Sequence, residues 1–358
     1  MKVLITGGTG FIGRYFTSEL MALGHQVVVY DMHPFEDGVP AVDVAAVKYV
    51  QGDIRDVAAM TTAMSGCDAV LHLAAAHHDF GITEATFEDV NVDGARKLCH
   101  AMDKNGIDNA CFFSSVAIYG EAKPPVSENA PANAVLPYGK TKHGAEGVFR
   151  EWVASGETDA KKKRCLTIRP TVTFGMGNFA NMFTLIKQID KNRFLPVGAG
   201  TNIKSLSYVE NTVDATLKLW LEPKHELDAY TPFNYVCKPD MASGEIAEII
   251  YEALGKKPPG FKVPYWFARL LALPLDIVIA ITGKNLPVSG ARIKKMAKAQ
   301  TQYESKAIRD AGFEQKIPLR EGIEKMVKWY TETGKVEAEK GVKRRLPPEQ
   351  PTISDDSK

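Results

Sequence analysis

A glycine-rich turn near the N-terminus constrains the fold of this chain more than any other feature. Residues 6–13 read TGGTGFIG, directly after a strand-sized apolar run and at the start of a helical pattern. Glycines there let the backbone turn tightly and approach a pyrophosphate, which the helix N-terminus then stabilises. A plain strand-to-helix turn is the alternative, but this context favours a bound dinucleotide. The residues that we expect to hold it are Gly7, Gly10, Phe11, Ile12 and Gly13.

An acidic residue at the end of the second predicted strand indicates which dinucleotide binds. Asp31 follows Gly13 by 18 residues. A carboxylate at that place accepts the hydroxyls of the adenosine ribose and repels a 2′-phosphate. His33 is the only candidate cation nearby. The sequence therefore favours NAD over NADP as the cofactor.

The first half of the chain alternates strand-sized apolar runs with amphipathic stretches of helical length, which predicts an α/β fold. We expect a Rossmann-type, doubly wound parallel sheet over residues 1–170, with additions from later residues. A smaller, mostly helical substrate lobe would follow over 171–333, and a mobile polar tail over 334–358. The predicted strands are Lys2–Thr6, Gln26–Tyr30, Val47–Val50, Ala69–Leu73, Ala110–Ser114 and Arg164–Ile168; the helices between them include Phe11–Leu23, Phe87–Lys104 and Tyr138–Ala154.

Composition excludes several classes of function. The formal net charge is +1, so no global field attracts nucleic acid. Five scattered cysteines without metal-ligand spacing suit reduced thiols in the cytoplasm. His77 and His78 are adjacent on a predicted loop, where a metal site is rare, so we expect no metal. We assign His77 to polar contacts with substrate, with plain surface placement as the alternative.

These motifs together resemble the extended short-chain dehydrogenase/reductase superfamily, and within it the NAD-dependent nucleotide-sugar epimerase/dehydratase family. The resemblance runs from Met1 to about Trp329 and rests on TGGTGFIG at 6–13, GDIRD at 52–56, HLAA at 72–75, NV at 91–92, SS at 114–115, YG at 119–120, YGKTK at 138–142 and RP at 169–170. It implies that Asp53 and Ile54 hold the adenine, and that Leu73, Ala74 and Ala75 line the cofactor cleft. It also implies a homodimer in which Phe87–Lys104 and Tyr138–Ala154 pair across a two-fold axis.

By the same resemblance Ser115, Tyr138 and Lys142 are catalytic, and their chemistry agrees. Tyr138 and Lys142 are four residues apart in a predicted helix, so they share a face and both reach the cofactor. A free phenol has a pKa of about 10, and an adjacent ammonium together with an oxidised nicotinamide would lower it. Tyr138 could then remove a hydroxyl proton while Ser115 bonds to the reacting oxygen. The alternatives are an ordinary surface pair, or a non-catalytic regulator that senses the dinucleotide.

Two substrate classes compete. Segments at 175–179, 195–200 and 202–211 resemble those of nucleotide-sugar epimerases, with Asn178 near the nucleotide and Lys204 near the position of a diphosphate-binding Arg. This favours an epimerase that transiently oxidises a sugar hydroxyl, at C4 of a UDP-sugar. A nucleotide-sugar reductase and a dehydrogenase of the 3β-hydroxysteroid branch, acting on another secondary alcohol, are the alternatives.

The apolar run 265–282 supports the second class, because it could form an apolar substrate wall. It contains Arg269, Pro274 and Asp276 and is shorter than the ~20 residues that a spanning helix needs, so we expect no transmembrane segment. We expect a core or lid helix there, with peripheral membrane contact as the next alternative.

Overall fold

The structure is a computed structural model, and it describes residues 1–77, 81–156, 162–224, 226–282, 290, 293–294 and 300–341. His78 and Asp79 lie outside the described residues. The strands are β1 (Lys2–Thr6), β2 (Gln26–Asp31), β3 (Lys48–Gln51), β4 (Ala69–His72), β5 (Asn109–Phe113), β6 (Arg164–Pro170), β7 (Val172–Phe174), β8 (Ile203–Lys204), β9 (Leu206–Tyr208), β10 (Tyr230–Tyr235) and β11 (Met241–Ala242). The α-helices are α1 (Phe11–Ala22), α2 (Val57–Ala63), α3 (Glu84–Glu88), α4 (Gly94–Lys104), α5 (Pro137–Ser155), α6 (Asn181–Asp190), α7 (Val209–Leu221), α8 (Ser243–Ala253), α9 (Tyr265–Thr282), α10 (Lys306–Asp310), α11 (Leu319–Trp329) and α12 (Lys335–Lys340).

Seven parallel strands form the main sheet, in the order β10-β6-β5-β4-β1-β2-β3. Alternate residues of each strand point to opposite sides of the sheet, and helices cover both sides. On β1, Val3 and Ile5 join a core that includes Phe16 of α1 and Val213 of α7. Leu4 joins the other core, with residues of α2, α4 and α5. The predicted Rossmann-type, doubly wound fold is confirmed.

The sheet also takes a strand from the second half of the chain. β10 pairs with β6 from Tyr230↔Cys165 to Tyr235↔Pro170, about sixty residues apart in sequence. Two small sheets, β7 with β9 and β11 with β8, lie outside the main sheet. β7 begins at Val172, just past the carboxyl end of β6 at Pro170, so this part of the second lobe follows directly on the edge at which ligands bind in such folds.

The helix predicted over Phe87–Lys104 begins earlier and contains an irregularity. α3 begins at Glu84, where Thr83 caps it by accepting the backbone N–H of Thr86. A π-helical turn over Asp89–Asp93 then connects α3 to α4. Such turns insert one extra residue and often lie at functional sites.

The C-terminal helix continues beyond residue 334, where the polar tail was expected to begin. A π-helical turn over Tyr330–Gly334 joins α11 to α12, and Gly334 lies against the Trp329 ring, where a side chain would not fit. Lys335 pairs with Asp190 at 3.0 Å. Residues up to Lys340 are therefore helical, whereas 342–358 lie outside the described residues.

Candidate active site

The carboxyl ends of the central strands bring the predicted functional residues to one edge of the sheet. The glycine-rich turn follows β1, the 73–77 loop follows β4, and Ser115 lies two residues after β5. β1 and β5 are separated only by β4, which places their ends roughly 10 Å apart at about 4.8 Å per strand. A ligand lying along this edge can contact the turn and the catalytic trio together.

The glycine-rich turn has the shape that a pyrophosphate requires. Gly7 has a φ of +72°, and a Cβ there would lie 2.7 Å from the backbone nitrogen of Ala74. A Cβ on Gly13 would overlap the carbonyl oxygen of Gly7. Gly10 caps α1 without any side-chain hydrogen bond, so the first amides of the helix are left to an anion.

Asp31 is held at the end of β2 by two backbone amides. Its carboxylate accepts the N–H of Thr9 at 3.1 Å and the N–H of His33 at 3.0 Å. A carboxylate has about four acceptor positions, so capacity remains for ribose hydroxyls. The chain itself therefore fits an NAD-type dinucleotide.

Ser115, Tyr138 and Lys142 meet at the end of β5. The Ser115 Oγ accepts the N–H of Ala117 at 3.1 Å and also interacts with the Tyr138 hydroxyl. The Lys142 Nζ is buried and donates to the carbonyl oxygen of Phe113, the last residue of β5, at 2.6 Å. The structure thus brings together the three residues that sequence reasoning selected.

The electrostatics of the trio differ from the expectation that Lys142 lowers the pKa of Tyr138. Burial raises the pKa of Tyr138 to about 12, and the interaction with Ser115 opposes the rise. Lys142 donates to Phe113 instead, and burial lowers its own pKa to about 7 against the pull of Glu146. In the chain by itself, burial disfavours both the phenolate of Tyr138 and the ammonium of Lys142. The lowered pKa that the sequence predicts for Tyr138 also depends on an oxidised nicotinamide, so it stays a prediction.

A buried ion pair supports the helix that carries Tyr138 and Lys142. Glu146, one turn after Lys142, is fully buried and accepts from Arg169 of β6 at 2.8 and 2.6 Å. Arg169 also donates to the Tyr119 hydroxyl at 2.7 Å, which in turn donates to Asn234 of β10 at 2.7 Å. This network connects the catalytic helix to two strands of the sheet.

A second connection runs through the π-helical turn. Asn91 donates to the backbone oxygen of Ala76 at 3.0 Å and accepts the N–H of Ala76 at 2.8 Å. It also donates to the Thr141 hydroxyl at 3.0 Å. Asn91 therefore ties the loop after β4 to α5 beside Lys142.

The residues predicted to contact the cofactor beyond the turn follow the carboxyl ends of β3 and β4. Arg55 donates to Asp53 from Nε to Oδ1 at 2.9 Å and from Nη2 to Oδ2 at 2.6 Å. Burial acts to raise the pKa of Asp53, but the bonds from Arg55 outweigh burial and lower that pKa. Ile54 is buried, while Leu73, Ala74 and Ala75 are half-buried after β4.

The predicted substrate residues are dispersed. His77 is exposed, with Nδ1 3.2 Å from the backbone oxygen of Ala75. Asn178 donates to the oxygen of Thr173 at 3.1 Å and accepts from Ala180 at 2.7 Å, so its amide is used within its own loop. Lys204 lies half-buried on β8.

Comparison with known proteins shows which family this chain belongs to. A profile of the NAD dependent epimerase/dehydratase family matches residues 3–232, which is most of the chain. The chain belongs to this family. A protein of Escherichia coli O157:H7, N-acetyl-alpha-D-glucosaminyl-diphospho-ditrans,octacis-undecaprenol 4-epimerase, is 40% identical over 330 residues, covering 92% of this chain and 95% of that protein.

Other family members align over similar lengths. The UDP-glucose 4-epimerase of Lactobacillus helveticus is 37% identical over 317 residues, covering 82% of this chain and 92% of its own. The UDP-glucuronic acid 4-epimerase from Bacillus cereus, solved in complex with NAD, superposes with a TM-score of 0.70 at 19% identity, covering 92% and 99% of the two chains. The fold is shared, and the resemblance seen in the sequence is confirmed.

This family member is an NAD-dependent enzyme of the short-chain dehydrogenase/reductase type. The choice of NAD made from Asp31 is confirmed, since NAD-dependence defines the family and solved relatives of the same fold contain NAD. No role in the site was predicted for Glu146, and Asn91 was used only as part of the NV motif at 91–92. Glu146 could have been found, because it lies four residues after Lys142 on the same helical face.

Proposed function

We propose that this family member is a 4-epimerase of a hexose or N-acetylhexosamine carried on a diphosphate. Two relatives carry the proposal. They are 40% and 37% identical to this chain and align over more than four-fifths of it. Both have names that describe 4-epimerases of diphosphate-linked sugars. The carrier differs between them, a nucleotide in one and a polyprenol in the other. The sugar diphosphate is the chemistry they share.

The roles of the residues follow from the site. When bound, NAD supplies a reversible hydride acceptor, which lets a carbinol carbon pass through a ketone and regain its hydrogen on the other face. Tyr138 removes the proton of the C4 hydroxyl and returns it, while Ser115 donates a hydrogen bond to the same oxygen. Lys142 would help to hold the cofactor, and its bond to the carbonyl oxygen of Phe113 fixes it at the end of β5.

Cofactor and substrate contacts complete the proposal. Gly7, Gly10 and Gly13 would cradle the pyrophosphate, with Asp31 on the adenosine ribose. Lys204 would contact the substrate diphosphate, as a point charge without the fork of an arginine. For Asn178, the bonds inside its own loop support a structural role in place of the substrate contact that the sequence predicts.

We also propose a cytoplasmic homodimer. The five cysteines are all buried and free, which suits a reducing compartment. The faces of α4 and α5 that would meet across a two-fold axis expose Arg96, His100 and His143, so the interface would be polar. Multi-angle light scattering of the purified chain measures the mass directly, and a monomer at micromolar concentration rejects the dimer.

Product analysis tests the 4-epimerase. The enzyme is incubated with NAD and either UDP-N-acetylglucosamine or N-acetylglucosaminyl-diphospho-polyprenol, and the sugars are released and separated. A mixture of the glucosamine and galactosamine epimers from at least one substrate, without net reduction of NAD, supports the proposal. Recovery of the glucosamine form alone from both substrates rejects it. Tyr138→Phe should abolish the conversion, and Tyr251→Phe of α8 is its matched control.

A further inference from the structure

We propose that the exposed apolar side of α9 docks this protein on the surface of an anionic lipid bilayer. This docking face consists of Trp266, Phe267, Leu270, Leu271 and Leu273. The side chains of this face are exposed, by 68% for Trp266 and by 61% for Leu271. Soluble proteins rarely leave so many large apolar side chains together in water, so the face has a partner.

The concentration of apolar surface at α9 is specific to this region. Seven of the fifteen large apolar side chains that are exposed among the described residues lie between Phe261 and Val278. The opposite side of the helix is protein-facing, since Ala268 and Ala272 are buried and four residues apart. The helix therefore contacts the lobe through small side chains and exposes its large ones. It is not the buried core helix that the sequence offered as one possibility.

The helix suits a position in the membrane interface. No helix among the described residues has the length and apolarity that crossing a bilayer requires. Arg269 and Asp276, the charges that argue against spanning, pair with each other at 3.6 Å. Trp and Phe with leucines on one face are the side chains that enter the headgroup region from an interfacial helix.

The charge of the surrounding sequence selects an anionic surface over a second copy of this chain. Between Lys256 and Lys298 the sequence has nine Lys or Arg residues and a single acidic one, Asp276. The whole chain has a net charge of only +1, so the rest of it is net negative. A segment with so basic a sequence is attracted to anionic lipids, whereas two copies of it in a symmetric dimer would repel each other.

The docking face is attached next to the proposed substrate contact. Val263, just before α9, bridges to Val197, and Thr301, where the chain returns, bridges to Lys204. A bilayer against α9 would therefore meet the lobe that carries Lys204. In the lipid-carrier form of the proposed function, this brings a membrane-embedded diphosphate to its binding lobe; the docking itself does not depend on that function.

Vesicle binding tests the docking without using activity. The full chain is floated with vesicles of phosphatidylethanolamine and phosphatidylglycerol, and separately with pure phosphatidylcholine. We expect co-flotation with the anionic vesicles, weaker at high salt, and at least about a tenfold loss of partitioning for Trp266→Ser/Leu270→Ser/Leu271→Ser. The control Leu23→Ser/Val44→Ser removes similarly exposed apolar side chains elsewhere and should bind like the wild type.

Fluorescence provides a second readout on the same samples. Trp152, Trp220 and Trp329 are buried, so Trp266 is the exposed one of the four tryptophans. Its emission should shift to the blue with anionic vesicles. The proposal is overturned if the wild type does not bind, if the triple variant binds equally well, or if light scattering shows that these side chains mediate self-association instead.

Turnover then separates the two proposals. The triple variant should keep its rate on UDP-N-acetylglucosamine if the wild type has one, and lose it on the polyprenol-linked substrate in vesicles. Vesicle binding by a wild type that epimerises neither substrate would reject the proposed function and leave the docking established.

Discussion

Replacing Glu146 by Gln tests whether the buried ion pair with Arg169 holds the catalytic helix against the sheet. Glu146 has no exposed surface, and both of its oxygens accept from the guanidinium, at 2.8 and 2.6 Å. Gln keeps the volume but removes the charge. The Arg169 cation then stays buried beside Tyr119 without its hydrogen-bonded counter-charge, and Glu128 is the remaining carboxylate that interacts with it.

The expected cost is large for a single substitution. Removing one partner of a buried pair costs about 3–5 kcal/mol in the free energy of unfolding, against roughly 1 kcal/mol for an average substitution. The melting temperature should fall by on the order of 5–10 °C. Because Glu146 acts to raise the pKa of Lys142, the variant should also lose its protonated Lys142 at lower pH than the wild type.

Urea unfolding followed by circular dichroism measures the change, with two companion variants. Glu151→Gln alters an exposed residue of the same helix and should change the free energy by less than about 0.5 kcal/mol. Glu146→Leu/Arg169→Met removes both charges and should recover most of the lost stability. A free energy of unfolding for Glu146→Gln within about 1 kcal/mol of the wild type would show that the ion pair does not hold the helix.

Three further predictions concern the site. Tyr138→Phe should lower kcat by about 10²–10⁴-fold in the epimer assay with the melting temperature unchanged, and near-normal turnover would remove Tyr138 from catalysis. Gly13→Ala should weaken NAD binding in calorimetry more than about tenfold, because its Cβ overlaps the oxygen of Gly7, whereas Gly147→Ala meets no atom within 4 Å and should bind NAD normally. Burial lowers the pKa of His72 to about 3 from 6.5, so the folded state resists protonation and stability should fall as the pH drops from about 6.5 towards 3, by up to about 1.4 kcal/mol per pH unit. His72→Asn should flatten this acid-side slope in urea titrations, and an unchanged slope would exclude His72 as its source.

Sequence was sufficient where the structure is determined locally. The glycine-rich turn, its flanking strand and helix, and Asp31 at the end of β2 all lie within thirty-one residues, and periodicity with turn chemistry predicts them. Tyr138 and Lys142 share a helical face for the same reason. Ser115 was placed correctly because the end of a parallel strand is itself a position in the site.

Sequence was insufficient where distant segments meet. The pairing of β10 with β6 depends on packing between residues such as Phe233 and Ile168, which no local pattern reports. The π-helical turn that presents Asn91 to Ala76 has no propensity signature. The pKa shift of Tyr138 could not be predicted from sequence either. It depends on how deeply the phenol is buried and on the bond that Lys142 donates to Phe113.

We propose that Ser115, Tyr138 and Lys142, with NAD, invert a sugar carbon by transient oxidation at C4. A diphosphate-linked hexose labelled with deuterium at C4 tests it most directly, by mass spectrometry of both epimers after turnover in ordinary water. We expect the inverted product to keep its deuterium at C4, because the same hydrogen leaves and returns. Deuterium replaced by solvent hydrogen at C4, or label held at C4 without inversion, would contradict it.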